Sequence, residues 1–169
     1  LALICAPQKS HKDDSPFHWE NVCKVKRGDI VFHYHSNTNF QSIVSMSLAL
    51  TDGNESAEPP ELNGPWKDSV GKVDLGYHDL NQPITKPQIR KAFEIVQTEK
   101  YQPINSAGNA NQGYLYKIHP KAVNELVGVL VLSELPEELK AKFMAASKGI
   151  HKTSDEETDP NRRDRKSDV

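Results

Sequence analysis

Ile30-Val-Phe-His-Tyr34 is rich in β-branched and aromatic residues. It follows the Arg27-Gly28-Asp29 turn signal and precedes a second strand-like run from Phe40 to Leu50. Ser36-Asn-Thr-Asn39 separates the two runs, a hairpin loop of four to five residues. This hairpin commits the chain to an antiparallel sheet. Period-two alternation places Ile30, Phe32 and Tyr34 on one face and Val31, His33 and His35 on the other.

Further strands are expected in Leu1–Ala6, Val70–Leu80 and Gly113–Ile118. In the second of these, Val73, Leu75 and Tyr77 share a face that reads as core, Asp74 points away from it, and Pro83 is expected to end the strand. Helical spacing appears in Phe17–Val25, in Lys86–Gln97 with Ile89, Phe93 and Val96 as its stripe, and in Pro120–Leu132. Thr85 is the expected N-cap of the second helix, with Pro87 in its first turn. Thr51–Pro65 and Ile104–Gln112 read as loops, and Pro136–Lys148 as a further, separately packed helix. Strands interrupted by helices in this order imply a small α+β domain with a curled, barrel-like sheet.

Three segments follow: a domain over 1–132, an extra helix over 133–150, and a charged linker or tail over 151–169 that is nearly free of apolar residues. The start at Leu1 rather than Met is expected of a piece of a longer protein. Lys and Arg number 21 against 23 Asp and Glu, for a net charge of −2, so bulk charge is no argument for nucleic-acid binding and phosphate contacts need a local patch. Cys5 and Cys23 form no CxxC pair and read as reduced thiols, which fits a cytoplasmic protein without metal or cofactor. No apolar run reaches the roughly 18 residues of a membrane helix, and no secretory signal is visible.

Four ordered stretches carry a resemblance: Trp19-Glu-Asn-Val with Val25-Lys-Arg-Gly-Asp-Ile-Val-Phe32; Trp66; Gly71-Lys-Val-Asp-Leu-Gly-Tyr-His78 with Pro83-Ile84; and Tyr101-Gln-Pro103 with Asn109-Ala-Asn-Gln-Gly-Tyr-Leu115. Across Leu1–Leu132 the set resembles the EVE domain, a PUA-like relative of YTH domains. The resemblance implies a PUA-like curled β-barrel flanked by helices, with a pocket that receives one nucleobase. It also implies a reader of 5-methylcytosine or 5-hydroxymethylcytosine in double-stranded DNA. Such a reader serves as the specificity module of a modification-dependent restriction endonuclease, with a fused HNH nuclease beyond the charged tail. The chain itself is then no enzyme. The alternative is a YTH-like reader of methylated adenine in RNA.

A flipped base loses stacking and pairing worth a few kcal/mol, which aromatic faces recover at about 1–3 kcal/mol per base. Trp66, after a Gly-Pro turn, is the leading wall of the pocket, and relatives carry an aromatic where Cys5 stands here. Trp19 and Tyr34 are further walls, with core packing as the competing role of Trp19. Asn109, Asn111 and Gln112 offer amides for a base edge, or serve the turn beside Gly108 and Gly113. Asp74 is a candidate acceptor from a cytosine amino group. Lys9 and Lys12 form one cationic cluster and Lys86, Arg90 and Lys91 another, both candidates for phosphate. His33, His35 and His78 lack the neighbours that would complete a metal site, and read as surface or packed histidines.

Overall fold

The computed structural model describes residues 2–7, 21–37, 40–56, 70–97, 102–111 and 115–154, with backbone alone at 5–7, 55, 56, 70 and 146–154. The chain divides into two units, Leu1–Leu135 and Pro136–Val169.

In the first unit, β1 (Ala2–Pro7), β2 (Ile30–Ser36), β3 (Gln41–Ala49), β4 (Asn54–Ser56) and β5 (Val70–Thr85) form one antiparallel sheet. Its order is β1-β5-β3-β2, with β4 also on β5. Among the described residues no ladder joins β1 to β2. The expected hairpin is β2–β3, entered through a turn in which Gly28 adopts φ 88°, open to glycine without a steric penalty. Asp29 Oδ2 accepts from Lys26 N at 2.8 Å and closes that turn.

Strand β5 organises the sheet because it has 16 residues and pairs along both edges. One edge carries β1, from Ala2↔Leu75 to Pro7↔Val70. The other carries β4 and then β3. The strand does not end at Pro83. Ser45 pairs with Asp79 and Ile43 with Ile84, so the residues between Asp79 and Ile84 form a bulge. A proline there removes no ladder hydrogen bond. Strand β4 falls inside the stretch expected to be a loop, and the described part of the expected Gly113–Ile118 strand, residues 115–118, belongs to none.

Each face of the sheet has its own core. On the back face, Ile43 and Ile84 pack with Ile89, Ala92 and Phe93 of α2 (Lys86–Glu94) and Ala122 and Leu126 of α3 (Pro120–Gly128). Gln88 Oε1 accepts from Thr85 N at 2.8 Å, as in a capping box, so α2 begins where its sequence signals placed it. It gives way at Glu94 to a turn that still buries Val96. Helix α3 stops at Gly128, short of the expected Leu132, and Leu132–Glu134 form a 3-10 turn. On the front face, Val22 of α1 (Asn21–Lys24) and Val25 pack on Val31, Ala49, Val73 and Leu75.

The second unit is α4 (Glu137–Ser154), longer than expected and reaching into the segment read as a tail. Its buried Leu139 and Phe143 lie four residues apart on one stripe.

Candidate functional site

Strand β3 lies between β2 and β5 and presents three serines to the front face. Directly opposed residues of antiparallel strands share a face, so the registers define three rows. They are Val31–Ser47–Tyr77, His33–Ser45–Asp79 and His35–Ser42–Thr85. The front face is thus apolar under α1 and polar beyond it. The register slips between His33 and Tyr34 on β2 and between Ile43 and Ser45 on β3, beside the β5 bulge. Bulges re-aim side chains and gather beside functional sites.

The middle strand carries small residues and its neighbours larger ones, a trough whose serine floor is closed to solvent. Ser42, Ser45 and Ser47 are buried, whereas His33 is half-buried and His35 and Asp79 are exposed. Tyr77, expected in the core, is 49% exposed, because the apolar half of this face ends at Leu75 and no described core cluster includes it. His33 Nε2 and Ser47 Oγ share a hydrogen bond of 2.8 Å, its direction set by the imidazole tautomer. The Tyr77 ring centre lies 5.4 Å from that of His33, tilted by 39°. Burial lowers the His33 pKa and favours the neutral imidazole.

The hydroxyls of Ser42 and Ser45 are buried without a hydrogen-bond partner. Leaving each unsatisfied costs about 1–3 kcal/mol. Asp79 has no hydrogen bond or ion pair among the described residues. The three rows together therefore offer an aromatic face, a neutral imidazole, two uncommitted hydroxyls and a carboxylate. A serine beside a histidine is also the start of a nucleophilic pair, but among the described residues no carboxylate bonds to His33 to orient it. Among the described residues no three His, Cys, Asp or Glu side chains converge as a metal site.

Of the residues proposed from sequence, those whose side chains are described lie outside the three rows. Trp19, Trp66, Gln112, Lys9 and Lys12 lie outside the described residues, as does the side chain of Cys5, whose backbone pairs opposite Lys72. Tyr34 packs against the back-face core, where burial raises its pKa and its hydroxyl has no partner. Asp74 faces away from Val73, as expected, and its carboxylate lies 3.5 Å from Lys72 Nζ. Asn109 Oδ1 accepts from Lys86 Nζ of α2, and Asn111 Nδ2 donates to Gln102 O at 2.6 Å within the turn. Lys86, Arg90 and Lys91 belong to α2, behind the sheet from the serine row. His78 is also on the back, lining a shallow cleft with Leu80, Leu130 and Glu134 that has room for roughly one water.

Sequence reasoning passed over Ser42, Ser45, Ser47 and Asp79. The available signal was Ser45 and Ser47 at inward positions of a hydrophobic strand, where apolar side chains would be expected. No protein-family model matches the chain, and comparison with curated proteins gives no match.

Proposed function

We propose that this chain reads a single modified base, as a PUA-like domain of the EVE type whose sheet curls toward a barrel. Its ligand is DNA carrying 5-methylcytosine or 5-hydroxymethylcytosine, with the base rotated out of the duplex into the front-face trough. The observation that carries this reading is the buried, partnerless hydroxyl of Ser45 opposite His33, whose ring meets Tyr77, with a second such hydroxyl on Ser42 in the next row. A flat heterocycle with polar edges complements such a site, because rings recover stacking and hydroxyls read an edge. A phosphate does not, since no described cation lies in the three rows.

Trp66 and Trp19 are retained, on sequence grounds, as further stacking faces. Lys86, Arg90 and Lys91 lie behind the sheet and are not the phosphate contacts of a strand that enters the trough. The domain acts by binding, and cleavage falls to a fused nuclease of the parent protein.

The test is fluorescence anisotropy on duplexes identical except for one central cytosine, 5-methylcytosine, 5-hydroxymethylcytosine or N6-methyladenine, with matched RNA strands. Modification-dependent binding to the cytosine duplexes, weakened by Trp66→Ala with an unchanged circular dichroism spectrum, supports the reading. Binding to methyladenine RNA alone replaces it with the RNA alternative. Indifference to every modification overturns it.

A further inference from the structure

Among the described residues, the front-face trough holds one carboxylate that neither the core nor the ion pairs use. Asp79 stands opposite Ser45 in the same row as His33 and is the last β5 residue paired with β3 before the bulge. The side chain is exposed, and among the described residues nothing bonds to it. Asp74, the other acid on this strand, is turned to the opposite face and sits beside Lys72. Next to Asp79 on β3 is the Ser45 hydroxyl, fully buried and also without a partner.

We infer that Asp79 determines specificity by accepting a hydrogen bond from the exocyclic amino group of the bound base. This inference rests on the base-reading function proposed above. A carboxylate is acceptor-only when ionised, so it pairs with the amino group of cytosine and repels the carbonyl oxygen that replaces it in thymine. The Ser45 hydroxyl can donate or accept and does not make that distinction alone. Asp79 lies five residues beyond Asp74 on the same strand and on the other face.

Thymine is the sharpest probe, because it keeps the 5-methyl group of 5-methylcytosine and differs on the pairing edge. Two duplexes are compared by anisotropy, carrying 5-methylcytosine or thymine opposite the same guanine. The mismatched thymine is easier to extrude, so a site without edge readout prefers it. The native chain is expected to prefer 5-methylcytosine by about tenfold or more. Asp79→Asn and Asp79→Ala are expected to remove that preference, with unfolding midpoints unchanged, since the side chain is exposed. A native preference that survives both substitutions, or a native chain that binds both duplexes equally, overturns the assignment of Asp79 and leaves the base-reading function standing. A native chain that binds neither, while cytosine and the other modified duplexes also fail, overturns both.

Discussion

Replacing Ser45 with alanine separates the needs of the fold from those of the site. The side chain is fully buried and its hydroxyl bonds to nothing. Removing it leaves a side chain of nearly the same size and lifts a desolvation cost of about 1–3 kcal/mol. Ser45→Ala is therefore expected to stabilise the free protein by about 1 kcal/mol, which raises Tm by roughly 3–5 °C in a unit of this size. Binding to a 5-methylcytosine duplex is expected to weaken by about tenfold, the loss of one buried hydrogen bond. Tyr34→Phe is the control, because it removes another buried, partnerless hydroxyl from the opposite face of the sheet. It is expected to stabilise in the same way and to leave DNA affinity unchanged. Urea unfolding followed by near-ultraviolet circular dichroism gives the first quantity, and anisotropy gives the second. A loss of stability in Ser45→Ala greater than about 1 kcal/mol would mean that the hydroxyl is satisfied in solution, by water if not by protein. Ser45 would then have no uncommitted hydroxyl to offer a base. Unchanged affinity in Ser45→Ala would refute its role in the site.

The lowered pKa of His33 means that the unfolded chain binds a proton more readily than the folded one. Its stabilising contribution is complete above about pH 6.5 and is lost as pH falls through the lower folded value, so the urea midpoint should fall between pH 7 and 5, less steeply in His33→Gln. Equal slopes in the two proteins would count against a buried neutral imidazole. Tyr77→Ala should weaken binding to modified DNA by about 1–3 kcal/mol while shifting the unfolding midpoint little, as measured by paired anisotropy and urea titrations. In Gly53→Ala the new Cβ would lie 2.1 Å from the Val22 carbonyl oxygen and 2.9 Å from Cys23 backbone atoms. Backbone has to move there, so a loss of about 3 kcal/mol is expected in thermal or urea unfolding.

The β2–β3 hairpin and the start of α2 were legible because each rests on local chemistry. Gly28 and the Asp29 side chain make the turn, while Thr85, Gln88 and Pro87 make the cap. The face assignments of Val73 against Asp74 and of Phe32 against His33 were legible for the same reason, since a strand alternates whatever surrounds it. Non-local pairing was not legible. Pro83 reads as a terminator until the residues between Asp79 and Ile84 are known to need no partner on β3. Strand β4 exists because Asn54–Ser56 meets Val70–Lys72, and nothing in three polar residues announces that. Tyr77 follows Val73 and Leu75 in alternation, yet burial ends at Leu75. The serine row required knowing that β3 runs between His33 on one side and Asp79 on the other, which is information about register.

Strand β5 also sets a schedule for assembly. The hairpin that precedes it can close as soon as it leaves the ribosome, since Ile30 and Leu48 are near in sequence. Ala2 cannot find Leu75, nor Ser42 find Thr85, until much later. Strand β1 thus waits, with its amide groups open, for β5 to arrive. Nascent chains halted before Val70 should remain vulnerable to protease at that waiting segment, and release past Thr85 should protect it.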